Sequence, residues 1–272
     1  MNPTESSASV ADRPQTFSFS QLIDLSTGIE HQAAHEPWKP SIRNIRHDVE
    51  GVQWMEEAFG AKPEDLVRSN GLGPAFEEVT AITHSGTHVD APFHYGPESE
   101  GAPSKRIEDC PLEWFFSDGV ILDMRHKEAG ERITVPDLEQ ALAAIDYTLK
   151  PLDIVMIMSG RDRYLGSEEY FEQPGMTRES TLWLVEQGIK VIGVDMYGFD
   201  RKFGDMAEEF KKTGDGSGLW EAHFAGLERE YCQIEKLVNL GAVPRPSGFK
   251  VACFPIKVEG GSAGWSRVVA FV

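Results

Sequence analysis

The stretch THSGTHVDAPFH at residues 83–94 constrains this chain more than any other, because it holds three of its eight histidines. Imidazole and carboxylate groups together suit zinc, manganese or iron, so His84, His88 and Asp90 are candidate ligands of one ion. An ordinary polar loop would account for a lone histidine better than for three histidines and an aspartate. A structural zinc site is a further alternative, but such sites are usually rich in cysteine and this stretch contains none.

The spacing within this stretch predicts the path of its backbone. A helix would turn the aspartate away from both histidines, and Gly86 and Pro92 oppose a regular helix. A flat strand would hold His84 and His88 about 13 Å apart, whereas metal–nitrogen bonds are about 2 Å long. We therefore expect the chain to curl at Ser85-Gly86, where glycine lets the backbone approach an ion without a Cβ in the way.

The sequence HSGTHVDAPFH also matches the pattern HxGTHxDxPxH at every fixed position. On this motif the chain resembles the cyclase family of metal-dependent hydrolases, which includes bacterial kynurenine formamidases, isatin hydrolases and some polyketide cyclases. The resemblance extends from Asp24 to the C-terminus. It implies a swivelling β/α/β-type fold and assembly into a homodimer or homotetramer.

The resemblance further implies a second arm of the site, a histidine and a glutamate twelve residues apart. His223 and Glu235 have this spacing, in HFAGLEREYCQIE. The family pattern then gives a first metal to His84, His88 and Asp90. It gives a second metal to His223, with Asp90 and Glu235 bridging. Without the resemblance, His223 would be interpreted as a helix-surface histidine and Glu235 as a solvated glutamate.

The expected cofactor is one or two divalent ions, Zn²⁺ or Mn²⁺, because the same nitrogen and oxygen ligands accept both metals. Such ions lower the pKa of bound water to about 7 and polarise a carbonyl group. His94 corresponds to the family's proton donor and acceptor, and a histidine titrates in the range that both steps of amide hydrolysis need. We expect arylformamidase-like hydrolysis of a small amide, lactam or formamide. A polyketide-type cyclisation and a metal-binding protein without turnover are the alternatives.

Trp38, in HEPWKPS, is the candidate substrate contact. It lies about where kynurenine formamidases place an aromatic residue against the substrate, and a packing or partly exposed tryptophan is the alternative. Residues 27–75 and 201–217 look like insertions relative to compact kynurenine formamidases, and we expect them to shape the pocket. Family membership therefore predicts the chemistry better than it predicts one substrate.

Strand patterns and helix patterns are mixed along the chain. LDIVMIM and VIGVDM are nearly continuous apolar runs, typical of strands that are covered on both faces. FEEVTAIT predicts a strand that delivers the histidine cluster. Helices are predicted at Val52–Phe59, VPDLEQALAAI, Thr177–Glu186 and Leu219–Glu230. We predict one α/β domain with a mixed sheet and flanking helices over residues 17–272, after a disordered tail at residues 1–16.

The charge balance argues against two classes of partner. The 44 acidic and 26 basic residues give a net charge of −18, whereas nucleic acids and anionic membranes need a basic surface. We therefore expect a small-molecule substrate, with neither nucleic acid nor a membrane as partner.

The chain has no run of about 18 apolar residues and no apolar core of a secretory signal, and its three cysteines have no CxxC spacing. These features predict a cytoplasmic protein without a disulfide framework.

Overall fold

The computed structural model describes residues 17–272, in which fifteen strands and six α-helices are present. The strands are β1 Leu22–Asp24, β2 Ser41–Ile45, β3 Phe76–Thr80, β4 His88–Asp90, β5 Glu98–Ser99, β6 Ala102–Pro103, β7 Phe116–Asp123, β8 Arg132–Ile133, β9 Ile154–Met158, β10 Gly175–Met176, β11 Val191–Val194, β12 Cys232–Glu235, β13 Phe249–Ala252, β14 Ala263–Trp265 and β15 Val269–Phe271. The helices are α1 Glu50–Phe59, α2 Pro92–Tyr95, α3 Val135–Ala144, α4 Arg178–Glu186, α5 Phe203–Thr213 and α6 Glu221–Phe224. None of these helices is long and apolar enough to cross a bilayer. The predicted tail at residues 1–16 lies outside the described residues.

Nine of the strands form one sheet, in the order β1-β15-β13-β7-β9-β11-β12-β4-β14. The central strands from β7 to β12 are parallel, and the pairs on either side are antiparallel. Parallel neighbours need crossover connections, and α3 and α4 lie in the connections from β7 to β9 and from β9 to β11. The predicted α/β fold with a mixed sheet and flanking helices is confirmed.

The central strands bury both of their faces. On β9, Val155 and Ile157 join one apolar cluster, which also contains residues of α3 and α4, whereas Ile154 and Met156 join a second cluster. All four side chains are fully buried, and burying each contributes roughly 1.5–3 kcal/mol. This two-sided burial explains why LDIVMIM is apolar without alternation.

The strand before the histidine cluster differs from the prediction. Only Phe76–Thr80 of FEEVTAIT is a strand, and it pairs with β2 in a separate two-stranded ribbon rather than in the large sheet. The chain then turns, with a hydrogen bond from Ser85 N to Ile82 O at 3.1 Å. Strand β4, rather than β3, therefore places part of the histidine cluster in the large sheet. The loop-rich region at residues 27–75 also contains the strand β2, which was not predicted.

Two segments between β11 and β12 also differ from the prediction. Residues 201–217 contain the helix α5, which ends at Gly214 in the left-handed conformation. The prediction missed α5 because its sequence is mostly polar. The helix predicted at Leu219–Glu230 is shortened to α6 and a following 3₁₀ turn. Gly226 packs directly on Tyr95, where an added Cβ would lie 2.0 Å from the ring.

Candidate metal centre

Strand β4 carries two of the predicted ligands between two antiparallel neighbours. Its partner β12 places Gln233 opposite Asp90 and Glu235 opposite His88. Because alternate residues of a strand share a face, and paired residues of neighbouring strands share it too, these four side chains project on the same side of the sheet. The sheet register therefore brings Glu235 to the motif from 145 residues further along the chain.

The chain curls before β4, as the spacing of the motif predicts. Gly86 has a φ of +61°, and a Cβ there would lie 3.1 Å from Gly28 O. This left-handed conformation favours glycine. The curl brings the His84 ring to 5.1 Å from the His88 ring, measured between centroids.

Ligand atoms of the motif converge on one point. His84 Nδ1 is 2.7 Å and His88 Nε2 is 3.3 Å from Asp90 Oδ1. The three ligand atoms lie within 4.8 Å of one another. These short contacts do not have the geometry of hydrogen bonds, so His88 Nε2 and Asp90 Oδ1 are buried without a hydrogen-bond partner among the described residues. Buried polar atoms normally have one. A divalent cation would satisfy both atoms, so these residues fit a metal ion.

The second predicted arm adjoins the first. His223 Nε2 is 3.5 Å from Glu235 Oε1, and Glu235 Oε2 is 3.7 Å from His88 Nε2. Glu235 therefore lies between His223 and His88, where a bridging carboxylate would have to be. Asp90, His94 and His223 form a second group whose ligand atoms lie within 4.8 Å of one another.

His94 lies on α2, inside the same cluster of rings. Its centroid is 4.2 Å from that of His84 and 5.5 Å from that of His223. Burial lowers the pKa of His94 to about 4, so the imidazole is neutral near pH 7 and can accept a proton. The position suits a proton-transfer group, and it is also within reach of a metal on the His223 arm.

Each of the three histidines predicted to be ligands has one ring nitrogen in contact with a group outside the cluster. The pairs are His84 Nε2 with Ser262 Oγ at 3.0 Å, His88 Nδ1 with Gly86 O at 2.8 Å, and His223 Nδ1 with Asp200 Oδ2. Such partners fix the tautomer and the ring orientation of a metal-binding histidine. One nitrogen of each ring is thereby left to face the centre.

The carboxylates and imidazoles of the centre stabilise each other's charged forms. Burial alone would raise the pKa of Asp90, but the surrounding imidazoles, His84 first, hold it well below its usual range. Burial would lower the pKa of His223, but hydrogen bonds to Asp200 and Glu235 raise it to about 10. The acidic groups of this site therefore favour a cation.

A cavity of about 210 Å³ opens above these residues. Its aromatic wall consists of Trp38, Tyr197, Phe203 and Trp220. Trp38 is 66% exposed, so it lies at the rim rather than in the core. A larger cleft, of about 660 Å³, contains none of the predicted ligands, and the smaller cavity is therefore the candidate substrate site.

The structure brings the seven predicted site residues together. Five of them line the cavity: Trp38, His84, His94, His223 and Glu235. The other two, His88 and Asp90, are fully buried beside them. The individual roles of all seven stay predictions. Sequence reasoning missed Gln233 and Asp200, which bond to the ligands. Gln233 was detectable, since a residue two before Glu235 on one strand must share its face, whereas nothing local identified Asp200.

Comparison with known proteins agrees with this geometry. The model of the Cyclase family, described as "Putative cyclase", matches residues 23–201. This range contains the histidine motif and ends before His223 and Glu235, so the second arm rests on the structure. A kynurenine formamidase of Erythrobacter litoralis is 28% identical over 191 residues, which are 70% of this chain and 74% of that protein.

Two solved structures share the fold over nearly the whole chain. An isatin hydrolase bound to the product analogue thioisatinate has a TM-score of 0.71 at 18% identity, covering 93% of this chain and 92% of that one. Isatin hydrolase A from Ralstonia solanacearum has a TM-score of 0.69 at 21% identity, covering 92% and 91%. At these identities the likeness shows the fold.

Proposed function

We propose that this chain, which belongs to the Cyclase family, is a metal-dependent hydrolase that cleaves the carbon–nitrogen bond of a small amide, lactam or formamide. The resemblance stated from the histidine motif is confirmed by the family match. The observation that carries the proposal is the convergence of His84, His88 and Asp90 beside a cavity that His84 lines. Two buried atoms of this group have no hydrogen-bond partner among the described residues. The expected hydrolase class agrees with the name of the kynurenine formamidase relative.

One or two divalent ions, zinc or manganese, would be held by His84, His88, Asp90, His223 and Glu235. Bound there, a divalent ion supplies a water of lowered pKa and polarises the carbonyl oxygen of the substrate. Asp90 and Glu235 contribute the negative charge that the cation requires, and the outer partners of the histidines keep their ligand nitrogens facing inward.

His94 is the proton-transfer residue of this proposal. Its ring lies beside those of His84 and His223, and it lines the cavity. A neutral imidazole there takes a proton from the attacking water and returns it to the leaving nitrogen. Trp38 and Trp220 belong to the aromatic wall that is available to the substrate.

The substrate class follows from the size and lining of the cavity together with the relative. A volume of about 210 Å³ with aromatic walls suits a small planar molecule better than a peptide. N-formyl-L-kynurenine is therefore the first substrate to test, and a lactam such as isatin is the second.

The proposal also includes a cytoplasmic location and assembly into a homodimer or homotetramer.

The test is hydrolysis by purified protein that has been stripped with a chelator and reloaded with zinc or manganese separately. Turnover that requires metal, with a preference between formamide and lactam, is the expected result. Protein that binds metal and yet cleaves nothing in a panel of formamides, lactams, linear amides and esters contradicts the hydrolase proposal. Cyclisation of a polyketide-type substrate by that protein would support the alternative reaction.

A further inference from the structure

A buried ion pair lies beside the metal centre. Lys236 Nζ is 2.9 and 2.7 Å from the two carboxylate oxygens of Glu36, and each side chain is only 3% exposed. Lys236 directly follows the predicted ligand Glu235, whereas Glu36 belongs to the loop-rich region near the N-terminus. Charges at this depth are retained only when they are fully paired and hydrogen-bonded.

Both partners of this pair also hold the backbone of the histidine motif. Glu36 Oε1 accepts a hydrogen bond from Gly86 N at 2.8 Å, and Lys236 Nζ donates to His84 O at 2.9 Å. The main chain takes part as well, since Lys236 O accepts from Thr87 Oγ1 at 2.6 Å. The curl between His84 and His88 is therefore held at three successive points by two residues outside the motif.

We infer that Glu36 and Lys236 are positioning residues that hold the curl at Gly86 in the shape that brings His84 and His88 to one ion. The inference rests on the proposed function. The curl needs such support because Gly86 has no side chain to anchor it, and a glycine is free to adopt many other backbone conformations. Glu36 also fixes the segment that carries Trp38, so the same pair couples the rim of the cavity to the metal loop.

Two double variants test the bond to the loop separately from the charge pair. Glu36→Gln with Lys236→Met removes both charges and keeps an oxygen that can accept from Gly86 N. Glu36→Leu with Lys236→Met removes that acceptor as well. Removing both charges together avoids leaving one of them buried alone.

The measurement is the zinc dissociation constant, from competition with a chelator, at a temperature where circular dichroism shows each variant folded. We expect the leucine variant to bind zinc at least about 10-fold more weakly than the glutamine variant, as when an outer partner of a ligand is lost. The glutamine variant should bind zinc with an affinity between that of the leucine variant and that of the wild type, because it keeps the bond from Gly86 N and loses the bond from Lys236 Nζ to His84 O. Equal affinities in the two variants overturn the inference. The exposed pair Arg43–Glu78, 2.8 Å apart on the β2–β3 ribbon, supplies the matched control in Arg43→Met with Glu78→Gln.

A measurement on the wild-type protein covers the case in which the variants do not fold. Coupling is reciprocal, so zinc binding should slow hydrogen–deuterium exchange in residues 33–40 as well as in residues 84–88. Slower exchange in residues 84–88 alone overturns the inference. A wild-type protein that binds no zinc contradicts the proposed function instead, so the two failures are distinguishable.

Discussion

Gln233 lies directly opposite Asp90 across β12 and β4, and its side-chain nitrogen donates to Asp90 Oδ2 at 3.1 Å. The same nitrogen is 3.4 Å from Glu235 Oε1, so one amide serves both carboxylates. Tyr231 OH, 3.1 Å from Gln233 Oε1, fixes the direction in which the amide faces. The hydrogen bond from Gln233 uses Asp90 Oδ2, and Asp90 Oδ1 faces His84 and His88.

Replacing this amide should weaken metal binding without unfolding the protein. Gln233→Leu has a similar volume but leaves two neighbouring carboxylates without their shared donor, which favours protonation of one of them. We expect the zinc dissociation constant to rise about 10–100-fold, the range for loss of an outer partner. Chelator competition measures it, with the exposed Gln53→Leu on α1 as control. Unchanged affinity in Gln233→Leu would show that the amide is only a packing group.

Asp200→Asn should act on the second arm alone. Asp200 is buried, bonds to His223 Nδ1 and accepts from Ala222 N at 2.8 Å. An asparagine keeps one acceptor but cannot stabilise the imidazole as a carboxylate does. If two ions bind, the affinity of one should fall about 10–100-fold while that of the other is retained. Metal titration followed by calorimetry resolves the two, with the exposed Asp146→Asn as control. Equal losses at both ions would contradict this assignment.

His94→Ala should abolish most turnover and leave metal bound. Loss of a general acid–base group lowers the rate by about 10²–10⁴-fold. The assays are kcat on the best substrate and the metal content after dialysis, with the exposed His126→Ala as control. Loss of metal together with turnover would identify His94 as a ligand, which its grouping with Asp90 and His223 allows.

Trp38→Ala should raise KM several-fold and change kcat little. Trp38 is at the exposed rim of the cavity. There it can add contact area for the substrate, but it has no group that takes part in the reaction. Steady-state kinetics separate the two constants, and Trp54→Ala on α1, also exposed, is the matched control. A fall in kcat with KM unchanged would exclude a simple binding role.

The sequence predicted the site better than the elements that support it. The motif, the curl at Gly86 and the pairing of His223 with Glu235 depend on local spacing or on a family pattern, and the structure brings these residues together. Glu36 and Lys236, 200 residues apart, could not be predicted to meet, because their contact depends on the path of the whole chain. Helix α5 was missed for a different reason, since its few apolar residues are diluted by charged ones.

Asp195 should make the stability of the protein depend on pH. It is fully buried, and burial raises its pKa to about 6 despite hydrogen bonds from Ser159 and Gly160. The folded state therefore binds this proton more tightly than the unfolded state, whose pKa is the ordinary 3.8. Stability from this group is present below about pH 4 and is lost as pH rises to about 6.

The size of this effect is on the order of 3 kcal/mol, at about 1.4 kcal/mol for each unit of pKa difference. Asp195→Asn does not titrate, so its free energy of unfolding should rise relative to wild type between pH 4 and pH 7. The asparagine amide has only one acceptor oxygen, so the variant loses a hydrogen bond and can be less stable than wild type at every pH. The rise with pH is expected all the same, because this loss does not depend on pH. Urea unfolding in the presence of chelator measures the difference, and titrations elsewhere cancel in it. A constant difference across this range would mean that Asp195 titrates alike in both states.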